Sequence, residues 1–252
     1  MPELSSNMTD CSSDLKELQI MNERKDRFIT VLAHELRSPL APIANAVDVL
    51  AMSNHDPKIV PYACGVIRRQ MCLLSRLVDD LFDISRIAHG DVGITRVPVD
   101  LQSVVWMAIE ASAPLIKLRD QHLTTTLREE PVMVNADATR LSQVFTNLLH
   151  NAAKYTDKGG QIALSSECSE DTATVRVKDS GIGIAAEALP VIFELFARAG
   201  HDAGGLGIGL SLARQLIELH SGSIAAHSEG PGRGSEFVVR LPLLSIRGST
   251  AG

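Results

Sequence analysis

Aromatic side chains are scarce in this chain. One tryptophan (Trp106), two tyrosines and six phenylalanines among 252 residues mean that its cores must be built mainly from aliphatic groups. No stretch approaches the ~18–20 continuous apolar residues of a membrane span, and the polar start lacks a signal-peptide pattern, so no membrane contact is expected of this segment. Cys11, Cys64, Cys72 and Cys168 are scattered without CxxC spacing. That argues against a disulfide framework and for reduced thiols in a cytoplasmic setting. Excess positive charge is missing too. A formal charge of -6 and a pI near 5.7 argue against a general nucleic-acid binder.

What is present is an ordinary 45% of apolar residues in a length that suits one or two domains. Residues 1–19 read as a linker or a stub of upstream coiled coil. Residues 20–90 read as a long helical hairpin, 91–100 as a linker, 101–244 as a mixed α and β domain, and 245–252 as a tail. In the first helix Phe28, Leu32, Leu36, Leu40, Ile43, Val47 and Leu50 share one face at ~3.6 residues per turn. His34 lies roughly 180° from the centre of that stripe, which points it to solvent. Glu35 stands beside it. Pro39, five residues on, removes an N–H from the helix, and a bend is expected there.

The second helix opens with Asp56 as cap and Pro57 in the first turn. Val60, Ile67, Leu74 and Leu81 repeat every seven residues, as do Cys64, Met71 and Val78, a coiled-coil-like seam. Two such helices alone bury too little apolar surface. Pairing two hairpins into a four-helix bundle resolves this, and a homodimer is the expectation.

Beyond a connector at 89–98 the pattern predicts helices near 101–119, 138–153 and 207–221. Strands are expected near 122–128, 132–135, 161–167, 172–178, 223–228 and 235–241. Helices and antiparallel strands in separate runs suggest a two-layer α+β sandwich.

Three local patterns in that domain carry chemistry. Asn147 and Asn151, four apart on a predicted helix, share a face, with Lys154 a turn further and Tyr155 next to it. Amide oxygens are hard, neutral ligands that suit magnesium, and a lysine suits phosphate. Asp179-Ser-Gly181-Ile-Gly183 follows an apolar strand, placing a carboxylate where it can accept from an exocyclic amine such as that of adenine. Gly205-Leu206-Gly207-Ile208-Gly209 leads into a helix, bringing free N–H groups to the positive helix end. It is neither a P-loop nor part of a βαβ unit.

Taken together and in order, these segments resemble the sensor histidine kinases of two-component systems, whose ATP domain is of the GHKL type. His34-Glu35-Leu36-Arg37-Ser38-Pro39-Leu40 resembles the family's phospho-acceptor box. Asn147 to Tyr155 resembles the N box, Asp179 to Gly183 and Gly205 to Gly209 the glycine boxes, and Phe193-Glu194-Leu195-Phe196 the F box. The likeness spans roughly residues 20–243. Ser38 stands where threonine is commoner, and the segment between Phe196 and Gly204 is short.

The resemblance implies ATP and Mg2+ as cofactors, with Asn151 the principal metal ligand and Asn147 assisting. It implies that Lys154 contacts phosphate, Tyr155 lines the adenine side and Asp179 reads the adenine amine. Gly181, Gly183, Gly205, Leu206, Gly207 and Gly209 would shape the nucleotide site. The γ-phosphoryl group would pass to His34, with Glu35 orienting the ring and accepting its proton, and then to an aspartate of a response-regulator receiver domain. Glu35 and Ser38 could also hold a water for removing phosphate from that partner.

Two rivals share parts of the pattern. Other GHKL ATPases resemble one another in a glutamate four residues before the magnesium asparagine, where this chain has Asn147. A nucleotide-sensing dimeric scaffold would not need His34. The full-length protein could carry a membrane anchor and a sensor region upstream.

Overall fold

The computed structural model describes residues 29–52, 56–88, 93–195, 197 and 207–244. The chain divides into two units, which meet within the second long helix between Phe82 and Asp83.

The first unit is helical. Helix α1 covers residues 29–52 and continues through Pro39. Helix α2, Ile59–Ala88, starts where expected. The Asp56 carboxylate accepts the Lys58 N–H at 2.8 Å, and the Asp56 carbonyl accepts from Ile59 and Val60. Pro39, Ala46 and Ala63 are buried, while Val60, Ile67, Leu74 and Leu81 are half-buried. Leu40 and Val47, at one edge of the expected stripe, remain about half exposed, and so do Met71 and Val78 of the second heptad string. A single partner helix covers one seam. The stripe on α1 is wider than that seam, so its margin stays in water.

The second unit is a sheet with helices laid over one face. Its elements are β1 (Val97–Asp100), α3 (Leu101–Leu118), β2 (His122–Thr126), β3 (Met133–Ala136) and α4 (Ala138–Tyr155). They continue with β4 (Gln161–Cys168), β5 (Thr172–Asp179), α5 (Gly209–Leu219), β6 (Ser223–His227) and β7 (Ser235–Pro242). The main sheet has five strands in the order β2-β4-β5-β7-β6, and β1 pairs with β3 in a separate ribbon.

Two features depart from the sequence expectation. Val97–Asp100, the end of the expected connector, is a strand antiparallel to β3. Strand β2 runs parallel to β4, so the sheet is mixed rather than wholly antiparallel.

Alternation decides which face is covered. On β5 Ala173, Val175, Val177 and Asp179 are buried, and on β7 Phe237, Val239 and Leu241 join them. The opposite face is wetter and carries Arg176, which pairs with Glu167 at 2.6 Å and approaches Glu236 at 3.9 Å. The helices bring Val104, Val105, Leu141, Phe145, Leu148, Leu149, Leu212 and Leu216 into the same core. Phe193 closes it from the F-box side, standing edge-on to Phe237 with centroids 6.3 Å apart.

Candidate functional site

Helix α4 carries the first group of expected site residues. Asp137 caps it, its carboxylate accepting the Arg140 N–H at 3.1 Å, which fixes where the helical rows begin. One row holds Asn147 and Asn151, both half-buried, with the Asn151 amide donating to the Asn147 Oδ1 at 3.3 Å. That arrangement leaves the Asn151 carbonyl oxygen with no hydrogen-bond partner among the described residues, so a hard, neutral oxygen is available there. The residues therefore fit a magnesium ion. A turn on, the Lys154 ammonium donates to the Tyr155 hydroxyl at 3.3 Å and lies 4.8 Å from the centre of its ring. The last carbonyls of α4 are not left bare. Arg119 donates to Lys154 O, and the buried Gln121 amide donates to Ala153 O and Thr156 O.

Strand β5 delivers Asp179 to the same end of α4. Its side chain is buried, with Oδ1 accepting the Gly181 N–H at 2.8 Å and Oδ2 accepting the Ser235 hydroxyl. The β5–β7 register sets Ser235 directly opposite Asp179. The chain then passes so close to α4 that Ile182 N–H bonds to Tyr155 O at 3.1 Å. A Cβ at position 181 would stand 2.3 Å from Tyr155 O and 2.8 Å from Asp179 Oδ1. Gly181→Ala must therefore shift this loop. It should cost about 2 kcal/mol, lower the Tm by roughly 5 °C and weaken nucleotide binding, which melting curves and calorimetry would read.

The turn that Gly230, Gly232 and Gly234 punctuate, legible in sequence only as a hairpin, is stitched to this loop. Gly232 N–H donates to Ile182 O at 2.7 Å, and Gly234 N–H to Gly181 O at 3.0 Å. Ser228 adds a third stitch, its hydroxyl accepting Ile184 N–H and donating to Gly234 O.

The second glycine box enters through α5. Gly207 has a left-handed φ of 67°, and no side chain caps the helix that starts at Gly209. A Cβ on Gly209 would lie 2.5 Å from the Asn147 side-chain amide, so any larger residue there would have to push that amide aside. Gly183, with φ 70°, similarly faces the Gly230 carbonyl. Asn147, Asn151, Lys154, Tyr155, Asp179, Gly181, Gly183, Gly207 and Gly209 thus all belong to the second unit. Gly205, Leu206, Phe196 and the segment 198–206 lie outside the described residues.

The remaining expected residues sit on α1 in the first unit. His34 and Ser38 are exposed, and Glu35 is half-buried. The ring of His34 is open to water.

Sequence reasoning passed over Ser235, Arg119, Gln121 and His220. Only His220 is both titratable and nearly sealed, at 1% exposure. Burial holds its pKa below the ordinary 6.5. As pH falls, the unfolded chain therefore takes up this proton first. The stability due to the neutral ring is complete above 6.5 and drains away below it towards the lower folded pKa. A fall in the urea midpoint between pH 7.5 and 5.5, smaller in His220→Gln, is the expected result.

Two family models match separate parts of the chain. A family model described as the His Kinase A (phospho-acceptor) domain matches residues 24–90. Another, described as histidine kinase-, DNA gyrase B- and HSP90-like ATPase, matches residues 136–245. The adaptive-response sensory kinase SasA of Thermosynechococcus vestitus is 33% identical over 269 residues, covering 97% of this chain and 70% of that protein. The sensor histidine kinase RcsC of Salmonella typhimurium is 33% identical over 227 residues, or 88% of this chain. The chain spans 24% of the length of RcsC. Among solved structures, the catalytic domain of histidine kinase ThkA superposes with a TM-score of 0.53 at 28% identity, covering 58% of this chain and 97% of that one. ThkA in complex with the response regulator protein TrrA gives 0.62 at 25% identity, covering 91% of this chain and 64% of that one.

Proposed function

This chain belongs to the histidine kinase family, and we propose from that premise that it autophosphorylates His34 with the γ-phosphoryl group of ATP. The observation that carries the reading is the exposure of His34 on α1, within the residues matched as a phospho-acceptor domain. Support for the donor comes from the second unit, matched as an ATPase domain, with the two asparagines and Lys154 along the C-terminal half of α4 and the loop after Asp179 bonded to the last residue of that helix.

Each residue has a stated task. Asp179 accepts a hydrogen bond from the adenine amine, and Gly181 and Gly183 let backbone lie close to the base. Tyr155 lines the adenine side, and Lys154 places its charge on the phosphates. Asn151, assisted by Asn147, would hold Mg2+, which would neutralise phosphate charge. Gly205, Leu206, Gly207 and Gly209 supply backbone N–H groups along the phosphate chain. A neutral imidazole keeps a lone pair on one nitrogen. That lone pair attacks the γ-phosphorus in line, the bond to the ADP oxygen breaks, and the ring proton leaves to Glu35. Glu35→Gln should slow this transfer roughly a hundredfold while ATP affinity stays unchanged, measured by labelling rate against calorimetric binding.

The phosphoryl group then passes to an aspartate of a response-regulator receiver domain, and ThkA, which is solved with such a regulator, supports this partner class. Removal of phosphate from the same partner, with a water held by Glu35 and Ser38, is part of the proposal. Two chains form the working unit. The half-exposed Leu40, Val47, Met71 and Val78 would then pack in a four-helix bundle of residues 20–90, with the ATP domain beginning by β1 rather than at residue 101. No described helix is long and apolar enough to cross a membrane.

Incubation with γ-labelled ATP and magnesium tests the reading. Label retained on the protein supports it. Free phosphate without labelled protein indicates a hydrolase instead, and neither product indicates a scaffold.

A further inference from the structure

His220 lies at the C-cap of α5, at the opposite end of that helix from the glycine box. Its Nδ1 is 2.7 Å from the Leu216 carbonyl, which can only accept, so Nδ1 carries the hydrogen. Its Nε2 accepts the backbone N–H of Asp137 at 3.0 Å. The ring is therefore the neutral Nδ1–H tautomer. Asp137 is itself the cap of α4, so this one bond ties the end of α5 to the start of α4.

The other end of α5 is in close contact with α4: Gly209 packs against the Asn147 side-chain amide, which a Cβ there would displace. From the Asp137 cap to Asn147 is ~15 Å along α4, and from Gly209 to the His220 cap is ~16 Å along α5. The two lengths match, so the helices lie antiparallel, bonded at the His220 end and packed in close contact at the Gly209 end. A slip at His220 is then delivered at Gly209, onto the asparagine whose oxygen holds the Asn151 amide.

Backbone and side chains beside the pin keep α5 from sliding independently. Arg96, just before β1, donates to Leu219 O and to Ser221 Oγ, and Thr95 N–H reaches the second Asp137 carboxylate oxygen at 3.2 Å. Around the His220 ring the charged groups are the Arg96 guanidinium and the Asp137 carboxylate, which act on it in opposite directions.

We propose that His220 is a positioning residue for nucleotide binding: its bond to Asp137 sets the register of α5 on α4 and thereby the placement of Asn147 and Asn151 for the magnesium–phosphate end of ATP. The inference rests on the nucleotide reading above and goes beyond it. Asp179 lies on β5, outside this helix pair, and Tyr155, at the far end of α4 from the Asp137 cap, is held by the Ile182 N–H of the loop after β5, so the effect falls mainly on the phosphates.

Calorimetry with ATP–Mg and a chemical-shift titration with adenosine, on the full chain at pH 7.5, test it. His220→Leu keeps the volume and removes both ring nitrogens. It should weaken ATP–Mg about tenfold and adenosine less than twofold. His220→Gln can still accept from Asp137 and should stay within about threefold of the parent. Unchanged ATP–Mg affinity in His220→Leu, or equal losses for ATP–Mg and adenosine, overturns the inference and leaves the nucleotide site standing. If His220→Leu does not fold, unchanged ATP–Mg affinity in His220→Met, which likewise offers Asp137 no ring nitrogen, overturns it. No ATP–Mg binding by the parent chain overturns the nucleotide reading and this inference with it.

Discussion

His34→Gln is expected to abolish phosphorylation of the protein while leaving ATP–Mg binding within about twofold of the parent. Glutamine fills similar space on an exposed helical face, so α1 has no reason to unravel. Its amide, unlike imidazole, has no nucleophilic nitrogen lone pair, because that pair is delocalised into the carbonyl. Loss of the acceptor is therefore total, not partial. The ATP-site residues sit in the other unit and do not involve α1, so binding stays intact. Labelled ATP and calorimetry on the same preparation measure both halves. Residual label above background in His34→Gln removes this residue as the acceptor.

Asp179→Asn should weaken ATP binding about tenfold to a hundredfold and relax the preference for adenine over guanine. One amide oxygen can still accept from Gly181 N–H, and the NH2 can face the Ser235 hydroxyl, which then accepts instead of donating. The loop keeps its backbone bonds to Tyr155 and to the turn at 230–234, so the fold survives. What is lost is the charge and the second acceptor oxygen that the adenine amine needs. Competition between ATP and GTP for the site measures the discrimination directly. Equal affinities in parent and variant would dissociate Asp179 from base recognition.

Much of this was legible in the sequence because it is local. Helix α4 spans Ala138–Tyr155 against an expected 138–153, since Asp137 is a cap and the apolar rows have helical period. Strands β4, β5 and β7 lie within one residue of their expected limits, because each alternates in and out of a core. What escaped was settled by partners distant in sequence. Strand β1 is four residues with a proline in it, and it exists because Met133–Ala136 offers an edge to pair with. The parallel pairing of β2 with β4 is a choice of topology that neither segment encodes alone.

The candidate site shows the same split. Asn147 and Asn151 meet because a helix places residues four apart on one face, whereas Ser235 meets Asp179 only through the register of β7 on β5. Nothing local distinguishes Ser235 from any polar strand residue, or His220 from a solvated helix end. A wheel likewise cannot tell how wide a neighbour is, which is why Leu40 and Val47 stand half in water.

The central claim is that an exposed imidazole receives phosphate. Its most direct test is to incubate the chain with ATP and magnesium, digest at neutral pH and locate the added phosphoryl group by electron-transfer mass spectrometry. A group on His34, released by mild acid and retained in base, is the predicted result. A group on Ser38 that survives acid, or free phosphate with no modified peptide, would contradict it.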